Sequence, residues 1–513
     1  MQTLRALGSW IDRHATVLMA IATGLAAAAF GVVGIIHHLG LRTQLHDLGH
    51  MEQSIWDVVH GYWSMPNSDP IPYQSRFFVH ANVIFYLLAP LYALLPSPLT
   101  LLLLGALAVA SAGFLLYLFA SHVLGNRVIA LGFGVAYLLN PLVQEAVLFD
   151  FRADLLAYPL SILVIFAALK RRWPAYWVAT ILLLSVKEDM AFLVAAIGIF
   201  LLCRKQWWHG GVTVAVGILY WVALGAIGDL LGVTLSGNAM ARFAYLGDGP
   251  GSMAVTAITN PSMVFDVLAK RMPYVAYVVL QGGFLAIFSP AALLPVLPNL
   301  LQNVLDASGF QARLIGTYHS GIVMTLLALA AVQGAGTVRR RWPHIFPWIF
   351  CLFLFQAVVF SAAFGPLPYS VTTDAVDLRI GHDRAAFERM KAFIPPDASL
   401  ATQNNLGAHF AARRDIFEYP TGMDRAEYVL FHIQDPTNGS FHRFRKNARM
   451  LLDSYSLNLR YGTRVQHAFE NPNFGLVAQE SSFYLFKRGA PRDANAAAWE
   501  TAKLELQQLA PVL

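Results

Sequence analysis

Long apolar runs separated by short polar stretches fill the chain from about Ala15 to Ala363. Hydrocarbon about 30 Å thick takes roughly 20 apolar residues per helical span, and several runs meet that need: Ala15–Ile36, Leu99–Ala120, Val128–Leu148, 207–228, Tyr318–Val338 and Ile345–Ala363. Leu155–Leu169 is a shorter run of the same kind, and Tyr274–Phe288 with Ala291–Leu305 reads as a Pro-rich hairpin through Ser289-Pro290. The segment 80–96 is apolar but short and bounded by Pro90, Pro96 and Pro98, which predicts a re-entrant or interfacial helix. Residues 174–203 carry Lys187-Glu188-Asp189 at their middle and basic residues at both ends, a pattern that predicts two short helices with a charged apex. The runs are continuous rather than alternating, so they exclude a β-barrel. The expected fold is a polytopic α-helical membrane protein of about ten crossings.

The pattern changes near Pro368, where charges become frequent and apolar positions alternate. Ser399–Thr402, Asp415–Tyr419, Glu427–Ile433 and Phe474–Phe486 read as strands or strand pairs; Arg384–Phe393, Arg443–Ser456 and 492–508 read as helices. The expected division is a membrane module over 1–367, with an external first loop at 37–79, and a small α/β domain over 368–513. Residues 229–272 read as a long external segment with little hydrophobic periodicity.

Composition agrees with the pattern. Of 513 residues, 57% are apolar and 13% charged, with mean hydropathy +0.52; soluble domains carry about 25% charged residues. The net charge of +6 sits mainly in short loops and reports topology rather than a nucleic-acid partner. Arg5 and Arg13, Lys170-Arg171-Arg172, Arg204-Lys205 and Arg339-Arg340-Arg341 assign their loops to the cytoplasm. The N-terminus is then cytoplasmic, and the C-terminal domain faces the periplasm or the cell exterior. Ala15–Ile36 is too long for a signal-peptide core and is expected to stay as a first span. Cys203 and Cys351 lie in or beside apolar runs and imply no disulfide framework.

Ionisable residues in such a protein are costly, which makes them functional candidates. Three groups fall at one expected face: His46-Asp47 with His50 and Glu52; Asp150, Arg152 and Asp154; and Lys187, Glu188 and Asp189. Facing carboxylates supply a general base, while Arg and Lys hold a phosphate-bearing substrate. Each group has a plainer reading. Asp47 is also placed to cap the helix through Gln53–Trp56. Asp150-Phe151-Arg152 also reads as an ion pair closing a helix end, and Lys187-Glu188 as a self-neutralised pair. His46 and His50 have the four-residue spacing of a metal pair, but no third ligand stands at fixed spacing.

The order of these groups resembles the GT-C superfamily of membrane glycosyltransferases, which includes protein O-mannosyltransferases and the aminoarabinose transferase of lipid A. The resemblance rests on Asp47 in the loop after the first span, the segment His80-Ala81-Asn82-Val83-Ile84-Phe85-Tyr86, the element Phe151-Arg152-Ala153-Asp154, and the hairpin at Leu184-Ser185-Val186-Lys187. His46–Trp56, Phe149–Tyr158 and Val186–Phe192, with Ile394–Ser399 and Ala426–Leu430 near the C-terminus, resemble more narrowly a domain-of-unknown-function family of predicted bacterial integral membrane proteins grouped with GT-C. His80 is not followed by the Pro-Pro of the better-known enzymes. What the resemblance implies is a hexosyl- or pentosyltransferase of the bacterial inner membrane. It would move a sugar from a polyprenyl-phosphate donor to a glycan, lipid or protein acceptor at the external face. Asp47 would be the general base by position, with Glu52 and Asp57 as rivals. Arg152 and Lys187 would hold the donor phosphate, with Arg76 and His80 as further contacts. Asp150, Asp154, Glu188 and Asp189 would orient the cations or hold a divalent ion such as Mg or Mn. The alternatives are a transporter or flippase of a lipid-linked glycan or anionic solute, and a non-catalytic assembly partner with the GT-C shape.

Overall fold

The computed structural model describes residues 2–62, 79–230, 241–282, 284–313, 317–371, 378–381, 383–433 and 458–509. The first part is helical: α1 (Gln2–Leu39), α2 (His50–Val59), α3 (Ile84–Leu94), α4 (Pro98–Leu124), α5 (Arg127–Leu138), α6 (Pro141–Leu148), α7 (Asp154–Leu169), α8 (Trp173–Val186), α9 (Met190–Cys203), α10 (Trp207–Leu230), α11 (Pro250–Thr259), α12 (Pro261–Gly282), α13 (Leu297–Leu305), α14 (Ser320–Arg341) and α15 (Phe346–Phe364). Local chemistry sets several boundaries. Ser97 accepts a hydrogen bond from the Leu99 amide at 3.2 Å, with Pro98 at the first helical position of α4. Gly125 closes α4 at φ +59°, a left-handed position that glycine adopts without steric cost.

Among the described residues, α1 (from Gly8), α4, α10, α14 and α15 are long and apolar enough to cross a membrane, and the pair α5–α6 makes a sixth if it counts as one span. The count of about ten is reached only by adding the shorter apolar helices α3, α7, α8, α9 and Pro290–Leu305. In α14, 89% of the apolar window is buried, against 17% in α15, so α14 is the central post and α15 a peripheral, lipid-facing helix. Helices α4, α6 and α7 pack around α14.

Two expectations change. Val128–Leu148 is not one straight span: α5 and α6 meet at a 48° bend. Pro141 has no amide to continue the helix, and the Asn140 side chain accepts from the Leu142 and Val143 amides at 3.0 and 3.3 Å, starting a new one. Of the expected irregular segment 229–272, residues 231–240 lie outside the described residues; in the rest, helices α11 and α12 take up most of the length, and α12 begins at Pro261 rather than near Tyr274. Pro250 and Pro261 stand in the first turns of these helices, where a missing amide costs nothing.

The C-terminal part holds α16 (Asp383–Ala392), α17 (Asn458–Glu470), α18 (Asn495–Leu509) and a five-stranded sheet of order β2-β1-β3-β5-β4, with β1 Leu400–Thr402, β2 Ile416–Glu418, β3 Tyr428–His432, β4 Phe474–Glu480 and β5 Phe483–Arg488. Strand β1 pairs in parallel with β2 and β3; β5 runs antiparallel to β3 and β4. The expected strands coincide with these; the expected helix Arg443–Ser456 lies outside the described residues. Alternation along β3 and β5 sends Val429, Phe431, Tyr484 and Phe486 to one apolar core, shared with Phe469 and Ala502, and Tyr428, Leu430, Phe483 and Leu485 to the other.

That second core is completed from the membrane part. Leu41 and Leu45, just past α1, pack with Phe387, Met390 and Leu485, and burial of each such side chain stabilises by about 1.5–3 kcal/mol. Polar contacts fasten the same seam. Asn405 donates to the Leu41 carbonyl at 3.2 Å, Asn404 accepts from the His46 amide at 3.0 Å, and Gln53 donates to the Arg413 and Arg414 carbonyls at 3.2 and 3.0 Å.

Candidate functional site

The turn that carries Asp47 is a π-helical segment, Leu45–Gly49, which runs straight into α2. The Asp47 side chain does not cap that helix; the Arg152 guanidinium holds it. Arg152 sits just before α7, and the residue two before it, Asp150, has φ +126°, a strained conformation for a residue with a Cβ. The Asp150 carboxylate accepts from the Gln44 amide at 3.0 Å, so the strained junction is tied to the loop bearing Asp47.

From this junction a line of alternating charge runs inward. Arg152 Nε lies 3.5 Å from Asp154 Oδ2, Lys187 Nζ lies 3.9 Å from Asp154 Oδ1, and Lys187 Nζ lies 3.3 Å from Asp189 Oδ2. The sequence Asp47–Arg152–Asp154–Lys187–Asp189 thus links three segments far apart in the chain. Asp47, Arg152 and Lys187 are buried. Buried charges need such partners, and removing one partner of such a pair costs about 3–5 kcal/mol. The helices fix the geometry: α7 starts at Asp154, α8 ends at Val186 and α9 starts at Met190. Their other ends meet the basic turns at Lys170–Arg172 and Arg204-Lys205.

Lys187, Glu188 and Asp189 also form the polar end of a cavity of about 510 Å³. Its remaining lining is almost wholly apolar and includes Phe192, Ile199, Trp221, Leu297 and Leu301. Phe192, Ile199, Leu297 and Leu301 are each more than 40% exposed, so the cavity opens sideways onto the apolar flank of the molecule. A smaller recess of about 30 Å³ adjoins it, sharing Lys187, Asp189 and Gln302, and is lined further by Asp154, Asn299, Asn303, Tyr318 and His319.

The other expected site residues have separate places. His80 Nδ1 lies 2.8 Å from Glu188 Oε1, and the Ala81 amide donates to Glu188 Oε2 at 3.0 Å, so Glu188 is turned towards the chain before α3 rather than into the ion line. Glu52 is buried away from this line, where it accepts from the Tyr92 hydroxyl at 2.9 Å. Burial raises its carboxyl to about 7, against the lowering pull of Tyr92 and of Lys391. His46 pairs with Glu418 at the end of β2, and its ring meets that of His50 edge-on at 5.1 Å. Arg76 lies outside the described residues. Among the described residues no three His, Cys, Asp or Glu side chains gather into a metal-ligand set. Asp47, Asp154 and Asp189 face Arg152 or Lys187, and Glu188 faces His80 and an amide, a donor set that does not fit a divalent ion.

Three features escaped the sequence. Tyr318 lies flat against Arg152, with the guanidinium carbon 3.9 Å from the ring centroid, and His319 stacks on Tyr318 at 4.0 Å. Asn299, Gln302 and Asn303 share one face of α13 by their spacing; this polar stripe on an otherwise apolar helix was the available signal. Gly321, the second residue of α14, admits Tyr158: a Cβ there would stand 2.0 Å from the tyrosine hydroxyl.

A helical membrane protein that keeps a buried line of ion pairs at the head of a laterally open apolar cavity is the class that fold and site define. The chain belongs to the family described as predicted membrane protein (DUF2079), whose profile matches residues 37–471. Among solved structures the chain is similar to ArnT from Cupriavidus metallidurans in the apo state. Identity is 12%, 94% of this chain and 98% of that chain are covered, and the TM-score is 0.43. No curated protein matches the sequence.

Proposed function

We propose that the protein is a membrane glycosyltransferase whose donor is a sugar on a polyprenyl phosphate. The observation that carries this reading is the cavity: an apolar groove open to lipid, ending on Lys187 and the ion line behind it. Such a shape suits a ligand with a long hydrocarbon chain and an anionic head. At 14 residues each, α8 and α9 span roughly 21 Å, so the head would rest within the membrane's depth. The basic turns at their other ends favour a cytoplasmic side there, an external side for the site and the sheet domain, and a bacterial inner membrane as the setting.

In the proposed step, an acceptor hydroxyl gives its proton to the Asp47 carboxylate while its oxygen attacks the anomeric carbon. The bond from that carbon to the phosphate oxygen breaks, its electron pair leaves with polyprenyl phosphate, and the anomeric configuration inverts. Before the reaction Arg152 keeps Asp47 ionised in a buried place. As Asp47 takes the proton, its hold on Arg152 weakens, and the guanidinium becomes available to the departing phosphate beside Lys187. Positive charge is thereby delivered where negative charge develops, the arrangement that lowers a barrier most.

The test is transfer of labelled sugar from polyprenyl-phosphate donors by purified protein. Asp47→Asn is expected to lower transfer about 100-fold or more while donor binding persists. Near-normal transfer by this variant would refute the assignment of the base. Movement of the lipid across the bilayer without transfer would instead mark a transporter.

A further inference from the structure

The recess of about 30 Å³ beside Lys187 has a chemistry different from the main cavity. It presents the carboxamides of Asn299, Gln302 and Asn303, the His319 ring and the carboxylates of Asp154 and Asp189. Most of this lining is anchored. Asn303 donates to the Tyr274 hydroxyl at 2.9 Å and to the His319 carbonyl at 3.1 Å, Thr317 Oγ1 meets His319 Nδ1 at 2.7 Å, and Gln302 donates to Asp189 at 3.4 Å. Two oxygens are left over: Asn299 Oδ1 and Asp189 Oδ1 are buried without a hydrogen-bond partner. Asn299 itself is only 5% exposed. A buried acceptor without a donor costs about 1–3 kcal/mol, so these oxygens call for a donor from outside the protein chain.

The volume limits what that donor is. A water needs roughly 10–15 Å³ of such space, so the recess takes one small group and not a sugar ring. We propose that it receives one hydroxyl or hydroxymethyl substituent of the sugar, whose ring would rest at the polar end of the main cavity. This assignment rests on the lipid-phosphate donor proposed above. A hydroxyl both donates and accepts, which matches a lining of carboxamides and imidazole. A carboxylate would be pressed against Asp154 and Asp189, so uronic acids are disfavoured. Asn299 is then a specificity-determining residue: it reads one position of the sugar and leaves the phosphate untouched.

The experiment compares dissociation constants, in nanodiscs holding the full chain, for bare polyprenyl phosphate and for polyprenyl-phosphate hexoses, an aminopentose and a uronic acid. At least one neutral hexose is expected to bind about 10-fold or more tighter than the bare lipid, from one satisfied buried hydrogen bond. Asn299→Leu should erase that gain and leave bare-lipid affinity unchanged. The deoxy analogue lacking the substituent that is read should also lose the gain in the wild-type protein. Equal affinity for all lipids, a gain that survives Asn299→Leu, or a gain confined to the aminopentose or the uronic acid would overturn the proposal and leave the recess a water site. Asn299→Leu weakening bare and glycosylated lipids alike would assign Asn299 to the scaffold and also overturn it. Failure of bare polyprenyl phosphate to bind in a Lys187-dependent way would instead overturn the donor reading, and this proposal with it.

Discussion

Lys187 is the residue on which ligand binding and stability separate most cleanly. Its ammonium stands 3.3 Å from Asp189 and 3.9 Å from Asp154. At an effective dielectric constant near 20, each contact corresponds to roughly 4–5 kcal/mol of Coulomb attraction before desolvation is subtracted. Lys187→Met therefore leaves Asp154 held by Arg152 alone and strands the Asp189 charge. The expected loss of stability is about 3–5 kcal/mol, the cost of breaking a buried pair from one side. Adding Asp189→Asn removes the stranded charge, so the double variant should recover most of that stability. It should not recover the ligand. A phosphate oxygen at comparable distance gains a similar attraction, and even half of it surviving desolvation amounts to about 2 kcal/mol, or 30-fold in affinity. Thermal unfolding in detergent measures the first quantity, and titration of polyprenyl phosphate into nanodiscs the second. Undiminished lipid binding by the well-folded double variant would refute the idea that Lys187 anchors the phosphate.

Other expectations follow from single contacts. Glu52 has a carboxyl raised from 4.5 to about 7, so the fold holds its proton more tightly than the unfolded chain. Its contribution is complete below pH 4.5 and is lost as pH rises through 7, about 3 kcal/mol in all. Glu52→Gln should flatten this slope in melting curves recorded from pH 4 to 8. Gly321→Ala should push Tyr158 aside and destabilise by about 1–3 kcal/mol, measured by thermal unfolding; an unchanged melting temperature would show that the helices part easily there. Chelation with EDTA should leave lipid-phosphate binding intact, because Arg152 and Lys187 supply the positive charge. Binding restored only by Mg²⁺ or Mn²⁺ would return Asp154 and Asp189 to a metal role.

Much of this was legible in the residues. Hydrophobic run length marked the first span and α4, α10, α14 and α15, and short apolar and aromatic segments between polar stretches marked the strands of the sheet, because one-dimensional burial patterns follow directly from element geometry. The charged apex at Lys187-Glu188-Asp189 was readable from its apolar flanks. Its pairing was not: Arg152 and Asp154 reach Lys187 only because α7 and α8 return to the same end of the bundle, a fact of packing. The same applies to Glu188, which the sequence groups with Lys187 but which the fold turns to His80. The bend at Asn140-Pro141 and the start of α12 at Pro261 were written in cap and proline chemistry, yet the apolar run across the first and the polar composition around the second outweighed them. Tyr318 and His319 stand at the mouth of a span, where aromatic residues are common enough to pass unremarked.

The insertion of Leu41 and Leu45 into the core beneath the sheet has a bearing on biogenesis. The turn Leu45–Gly49 rests on Phe387, Leu400, Phe483 and Leu485, which the ribosome makes hundreds of residues after Asp47. The spans can enter the bilayer in order as they emerge, and Arg152 and Asp150 can hold Asp47 and the Gln44 amide from then on, but the loop lacks its packing against the sheet until the last strand exists. A nascent or shortened chain would therefore carry this loop with only one of its two supports. The order of synthesis thus completes the seat of the proposed base in two stages, its ion pair first and its apolar backing last.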